Sequence, residues 1–190
     1  MVGNNLKKAS FWDQKEDNFV QCKLCPNCCL IPENGKGKCR KRHNIDGILY
    51  TETYGNICAE HIDPIEKKPL YHFYPGTEIY SVGCNSCNLK CQFCQNYDIS
   101  QKDTYTVFNS PEQLVKKVIQ SGCSSLAFTY SEPLMMIEYI IDCLPLLNSA
   151  GIKTVMVSNG YINKEPLQLL LPHISAWNVD LKSFHNKFYN

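Results

Sequence analysis

The stretch Gly83-Cys84-Asn85-Ser86-Cys87-Asn88-Leu89-Lys90-Cys91-Gln92-Phe93-Cys94-Gln95-Asn96 decides how the rest of the chain is read. Three cysteines, Cys87, Cys91 and Cys94, stand at the spacing C-x3-C-x2-C, just after an apolar, strand-like run from Glu78 to Val82. Thiolates gathered on so short a loop can hold one iron–sulfur cluster. A cubane has four irons and the loop offers three thiolates, so one iron keeps an open position, as a catalytic metal requires. Structural zinc uses four ligands, often as two separated C-x2-C pairs. This loop has no second pair.

The composition is that of a globular chain. It has 190 residues, 44% of them hydrophobic, enough for one good-sized core and too apolar for disorder. A net charge of +1 argues for neither a nucleic-acid nor a membrane partner. Of 19 basic residues only Arg40 and Arg42 are arginines, so arginine-rich phosphate recognition is not indicated. Twelve cysteines in a secreted chain would form disulfides, but Met1 to Asp17 is polar and has no apolar core of a signal peptide. No run approaches the ~20 apolar residues of a membrane span. The richest candidate, Leu134 to Leu147, is broken by Glu138, Asp142 and Pro145. A cytoplasmic, reducing location is expected, where clustered cysteines bind metal or do redox work.

A second cysteine group precedes the loop. Residues 1–20 form a polar lead-in that Phe11, Trp12 and Phe19 are expected to dock on the body. Then come Cys22, Cys25, Cys28, Cys29 and, beyond Gly35 and Gly37, Cys39. Four ligands can be drawn as Cys22, Cys25, Cys29 and Cys39, and the glycines let the connecting loop turn back on itself. Zinc or a second iron–sulfur cluster would both fit. Cys28 is either spare or competes with Cys29. The basic run Lys36, Lys38, Arg40, Lys41 and Arg42 reads as a solvated loop offsetting thiolate charge rather than a nucleic-acid patch. Residues 43–60 read as a hairpin turning at Asp46-Gly47, with a further turn at Gly55 and Cys58 as a small core or surface residue. Prolines 64, 69 and 75 make Asp63 to Gly76 (DPIEKKPLYHFYPG) an ordered connector with no regular element.

After the cysteine loop, helix and strand alternate, which predicts an α/β fold with a parallel sheet. Pro111 to Gln120 reads as an amphipathic helix with Ser110 as N-cap and Gly122 as its stop. Ser125 to Tyr130 reads as a buried strand. Pro133 to Asn148 reads as a helix that Pro145 should bend or end early. Lys153 to Ser158 and Trp177 to Leu181 read as strands, separated by a helix from Lys164 to Ile174 that is interrupted at Pro172. Ligands of such folds sit at the carboxyl ends of the strands. That rule selects the cysteine loop, Thr129 to Pro133, Ser158 to Gly160 and Asp180 to Lys182.

The signature loop, with Phe93 before its last cysteine, resembles the radical S-adenosylmethionine (radical SAM) superfamily. The cysteine-rich start, the DPIEKKPLYHFYPG stretch, and CNLKCQFCQN followed by Ile99-Ser100-Gln101 together resemble the radical SAM enzyme of the AmmeMemoRadiSam system, related to the pyruvate formate-lyase-activating enzymes. Two positions depart from that family's usual pattern: Cys84 for threonine and Ser86 for glycine. Neither removes a ligand, and Cys84 is better read as a small loop residue than as an alternative ligand. The resemblance implies a [4Fe–4S] cluster on Cys87, Cys91 and Cys94, with S-adenosylmethionine chelated to the open iron and cleaved by one electron to a 5′-deoxyadenosyl radical that takes hydrogen from a substrate. It implies a ferredoxin or flavodoxin as reductant.

Residue by residue, the resemblance places Glu132 at the methionine ammonium, although the usual paired glycines before it are absent. It places Asp180 at the ribose hydroxyls, Lys182 at the carboxylate, Phe93 beside the adenine and Asn159 at cofactor or substrate. It further implies a partial (β/α) barrel of parallel strands, preceded by a small cysteine-rich module over 1–76, with the barrel portion over 77–190. Folds of this type have six strands and only four are visible, so a fragment or split gene, weakly active or inactive alone, is expected. Two rival functions keep the cysteines. One is a glycyl-radical activase acting on a partner protein, disfavoured because its extra cysteines would follow the signature loop. The other is a non-catalytic, metal-stapled binding module, disfavoured by the polar strand ends.

Overall fold

The computed structural model describes residues 6–189. Met1 to Asn5, the start of the polar lead-in, lie outside the described residues. Phe11 and Trp12 pack against the core as expected, whereas Phe19 is half-buried outside it. The first fifty residues build β1 (Lys7–Lys8), β2 (Trp12–Gln14), β3 (Val20–Cys22), β4 (Leu30–Ile31), β5 (Arg42–Ile45) and β6 (Ile48–Thr51). These sort into two small antiparallel sheets, β1-β6-β5 and β2-β3-β4. The β5–β6 turn is the expected one: Asp46 and Gly47 both take positive φ, 51° and 72°, and Ile45 pairs with Ile48.

The further turn expected at Gly55 is present, with φ 69°, but the residues beyond it are not part of the hairpin. From there the chain leaves the small sheets and runs as a nine-residue strand, β7 (Asn56–Pro64), antiparallel to β8 (Glu78–Cys84). Asp63 and Pro64, expected in a connector, are paired with Ile79 and Glu78. Pro64 is tolerated because it is the last residue of the strand, where a missing N–H costs the ladder little. β7 lies inside the segment read as the N-terminal module, yet it belongs to the large sheet.

The second half alternates as the pattern predicts. α1 (Tyr97–Gln101) and β9 (Val107–Phe108) follow the cysteine loop, and then come α2 (Pro111–Ser121), β10 (Ser125–Phe128), α3 (Ile137–Ser149), β11 (Lys153–Ser158), α4 (Lys164–Leu170) and β12 (Ala176–Val179). Sheet order is β12-β11-β10-β8-β7-β9. The four strands β8, β10, β11 and β12 are mutually parallel, and β7 is antiparallel to both of its neighbours. Among the described residues the sheet does not close on itself.

Local signals explain the element ends. Ser110 and Gln113 form a capping box at the start of α2, with Gln113 N–H donating to Ser110 Oγ at 3.2 Å and Ser110 N–H to Gln113 Oε1 at 2.7 Å. Gly122 stops that helix at φ 76°. Pro145 does not end α3, which runs on to Ser149. A proline there forfeits one backbone hydrogen bond, at about 3 kcal/mol in an exposed helix. Leu144 and Leu147, both buried on either side of it, hold the last turns on the core.

The N-terminal sheets are bolted to this α/β layer by a buried ion pair. Arg42 donates from Nη2 to both carboxylate oxygens of Glu138, at 2.7 and 2.9 Å, and Ser10 N–H joins the same carboxylate at 2.8 Å. The basic run is therefore not simply a solvated loop. Arg42 is fully buried, Arg40 donates to the Ser100 carbonyl at 2.9 Å, and Lys41 lies between Glu52 and Asp103. No helix among the described residues is long and apolar enough to cross a membrane.

Candidate functional site: a cysteine-walled cleft at the strand ends

The carboxyl ends of the four parallel strands open into one cleft of about 520 Å³, within the range of small-molecule sites. The loop after β8 forms one wall. Its base is closed by Asn85, whose Nδ2 donates to the carbonyls of Ile99 (2.7 Å) and Lys102 (2.6 Å). Gln101 Nε2 donates to the Leu89 carbonyl at 2.8 Å, and Asn96 donates to the Tyr130 carbonyl. So held, Cys87, Cys91 and Cys94 all line the cleft. Leu89 N–H (3.4 Å) and Asn159 Nδ2 (3.9 Å) approach Cys87 Sγ, and Cys94 Sγ lies 3.3 Å from Ser100 Oγ.

Burial, with help from the nearby Glu132, pushes the Cys87 thiol up to about 12. Burial also raises Cys91, while the Lys182 ammonium pulls it back down. Metal loading here must therefore release protons. Among the described residues no group of three or more Cys, His, Asp or Glu side chains is placed to hold a single ion. An iron–sulfur cluster puts each thiolate on a different iron and so takes sulfurs that stand further apart. Three thiols on one wall, N–H donors to sulfur and a cation opposite fit such a cluster.

The other expected residues divide. Phe93, Asn159, Asp180 and Lys182 line the same cleft. Asp180 and Lys182 lie just beyond β12 and pair with each other. Phe93 is exposed and stacks on Phe188, with ring centroids 6.1 Å apart. Asn159 is the most constrained: Nδ2 donates to Asn88 Oδ1 and Oδ1 accepts from Tyr161 N–H, both at 2.9 Å.

Glu132 is not on the cleft wall. It is fully buried behind it, accepting from Leu134 N–H (3.0 Å), Ser158 Oγ (2.8 Å) and Asn159 N–H (2.9 Å). Three donors occupy most of a carboxylate's accepting capacity. Burial outweighs them and raises its pKa to about 7. In this arrangement Glu132 ties the end of β10 to the end of β11, rather than offering a free carboxylate to an ammonium.

Cys84 is a fully buried residue of β8, with its sulfur near Ser131 Oγ and the Glu132 carbonyl, and it does not line the cleft. Cys58 is half-buried, with its thiol 3.3 Å from the Gly83 carbonyl.

One cluster on the wall had no physical rationale in the sequence. Asp63, at the end of β7, accepts from Lys68 Nζ (2.7 Å), Tyr130 Oη (2.8 Å) and Lys67 Nζ (3.1 Å). Burial pushes Asp63 up, but these donors prevail and hold it below the ordinary carboxylate range. Lys68, nearly fully buried, is held below the usual lysine range by its own desolvation, and its ammonium lies 4.7 Å from the Tyr130 ring centre. Asp63, Lys67, Lys68 and Tyr130 all line the cleft. The DPIEKKP stretch carries these residues, but no periodicity or spacing rule marks them.

The second cysteine group also converges. Cys22, Cys25, Cys29 and Cys39 line one small cavity beneath the signature loop, and Cys28 is exposed outside it. Burial raises the Cys22 thiol to about 11 and lifts Cys25 and Cys29 as well.

A family model described as the radical SAM superfamily matches residues 81–190. The chain belongs to the radical SAM superfamily. Its relatives include Uncharacterized protein MJ0808 of Methanocaldococcus jannaschii, 41% identical over 180 residues that cover 93% of this chain and 54% of that protein. Uncharacterized protein MJ0674 of the same organism is 25% identical over 178 residues, covering 89% of this chain and 47% of that one. The chain thus spans about half the length of the curated relatives it matches. Radical SAM membership carries a [4Fe–4S] cluster and S-adenosylmethionine as the family's cofactors, and the matched segment contains the whole cysteine loop and all four strand ends of the cleft.

Proposed function

We propose that this chain carries the cofactor-binding half of a radical SAM enzyme of the AmmeMemoRadiSam type, with Cys87, Cys91 and Cys94 as cluster ligands. The observation that carries the proposal is convergence: three thiols from one loop, Asn159 from the end of β11, and Asp180 and Lys182 from beyond β12 meet at one cleft. When bound, the cluster supplies the one electron that splits S-adenosylmethionine into methionine and a 5′-deoxyadenosyl radical, which leaves as 5′-deoxyadenosine after taking hydrogen from a substrate.

The chain's own residues orient and shield. Lys182 faces Cys91 and offsets the thiolate charge, and it is the cation available to a methionine carboxylate. Asp180, released from Lys182, offers two acceptor oxygens to ribose hydroxyls. Phe93 presents a ring face on which an adenine can stack. Asn159 holds a donor beside Cys87, and Glu132 acts behind it as a positioning residue through the Asn159 N–H. The electron comes from a ferredoxin or flavodoxin.

Anaerobic reconstitution tests the proposal. S-adenosylmethionine should change the spin-resonance spectrum of the reduced protein, and 5′-deoxyadenosine should form. Cys91→Ala should reduce both to background, whereas Lys182→Ala should weaken S-adenosylmethionine binding about tenfold to a hundredfold, the worth of one charged hydrogen bond. A wild-type spectrum indifferent to S-adenosylmethionine would sink the assignment.

A further inference from the structure

We propose that Lys67 and Lys68, gathered around Asp63 and Tyr130 at the floor of the cleft, bind an oxyanion group of the substrate, a carboxylate or a phosphate. The inference rests on the radical SAM reading only in calling that ligand the substrate.

The connector between β7 and β8 builds this floor. On one face of the large sheet, Val82, Leu126, Phe128 and Met156 join the main core with residues of α2 and α3. On the other face, Ser81, Ala127, Val155 and Ala176 stand in one row across four strands. Most of that row is small, which leaves space above the sheet. Ile65, Leu70 and Phe73 of the connector fill part of it, packed with Ile79, Ala127 and Val155. Asn178 Nδ2 donates to the Pro69 carbonyl at 3.4 Å and ties the connector to β12. Two residues further along each strand, on the same face, Thr129, Val157 and Asn178 line the cleft.

Charge is the first observation that points to an anion. The cleft is lined by Lys67, Lys68 and Lys182 against Asp63 and Asp180. Asp180 pairs with Lys182, so two ammonium groups share the single carboxylate of Asp63 and one positive charge is left over.

The second observation is spare donors. An ammonium carries three N–H groups. Among the described residues each of these two lysines spends one, on Asp63, at 3.1 Å from Lys67 and 2.7 Å from Lys68. Lys68 is 3% exposed, so few waters can reach its other donors. An oxyanion in the cleft is their natural acceptor, and charge-assisted bonds of this kind are the strong ones.

The third observation is strain. Tyr130 has φ 70°, an outlier for so bulky a side chain, and such strain gathers at ligand sites. Gly83 gives it room: a Cβ there would stand 3.0 Å from Tyr130 Cβ and 3.1 Å from its Cδ2. So placed, Tyr130 Oη donates to Asp63 at 2.8 Å, and its ring lies 4.7 Å from the Lys68 ammonium. Stability alone does not call for these charges, because buried ion pairs can often be replaced by apolar side chains without loss.

The test measures the thermal midpoint of the reconstituted chain, kept anaerobic, against inorganic phosphate and against succinate, with chloride at equal ionic strength as the control. One or both oxyanions should raise the midpoint in a saturable way, as a ligand of the folded state does. Which of the two saturates first tells phosphate from carboxylate. Lys67 is exposed enough to be changed without unfolding the chain. Lys67→Ala should raise the half-saturating concentration about tenfold or more, and Lys67→Arg should restore most of the binding. The proposal fails if neither oxyanion does more than chloride, or if Lys67→Ala binds as tightly as the wild type. It fails equally if binding is lost in Lys182→Ala and kept in Lys67→Ala, which would seat the anion on the other cation of the cleft. Oxyanion binding through Lys67 in a chain whose spectrum ignores S-adenosylmethionine would uphold this site and sink the radical assignment alone.

Discussion

Two buried carboxylates set the pH response of this protein, with opposite signs. Asp63 is held below its ordinary range by Lys68, Tyr130 and Lys67, so its contribution is present above its unfolded value of about 3.9 and is lost as the pH falls through the lower folded value. Glu132 is raised to about 7 by burial, so its contribution is full below the unfolded value of about 4.3 and is lost as the pH rises through 7. Stability should therefore be greatest near pH 4 and decline from there towards pH 7, and the Glu132 shift alone should cost on the order of 3 kcal/mol between pH 4 and pH 8. Urea midpoints across that range check this. In Glu132→Gln the alkaline decline should flatten. A decline as steep as in the wild type would place its cause elsewhere. Asp63→Asn leaves Lys68 buried without its anion, and a loss of about 3–5 kcal/mol is expected at neutral pH. The same variant should lose the acid-side slope, which separates the ion pair from simple packing.

At the scale of elements, the cleft depends on how closely β8 and β10 approach at their carboxyl ends. Gly83 sits one residue before the end of β8, where a Cβ would stand 2.8 Å from the Thr129 carbonyl oxygen and 3.0 Å from Tyr130 Cβ. The first of these is backbone, which cannot swing aside. Gly83→Ala should cost about 1–3 kcal/mol and should loosen the cysteine loop that begins just beyond Cys84. A thermal scan reads the first effect and cluster retention the second. An unchanged melting temperature would mean that the two strand ends separate without penalty. Much at this scale was legible beforehand. The α2 cap, the Asp46-Gly47 turn and the four parallel strands follow from local chemistry that each segment carries alone. β7 was not legible, because Pro64, Pro69 and Pro75 disguise a strand whose partner lies fourteen or more residues later, and pairing across that gap is decided by the sheet.

At the scale of the whole molecule, the sheet ends at β12, beside which Val179, Leu181 and Phe184 are exposed. The curated relatives are about twice as long as the segment they share with this chain. Joined to the further segment that those relatives carry, this chain should make 5′-deoxyadenosine faster than it does alone. Equal rates, measured on equally reconstituted proteins, would show that the described cleft is sufficient for cleavage.

The cysteine loop, the alternation of helix and strand after it, and the placement of Asn159, Asp180 and Lys182 beside strand ends could be read from the chain because each depends on spacing along a few residues. The tertiary structure decided three other matters. It turned Glu132 inward, set Asp63 and Lys68 on the cleft wall, and separated Cys28 from the four cysteines that share a cavity. Those outcomes depend on donors and charges brought from distant parts of the chain, such as Ser158 to Glu132 and Tyr130 to Asp63. Local spacing governs which chemistry a segment can offer; which side chains face the cleft is settled only when separate strands pack and every buried polar group must find a partner.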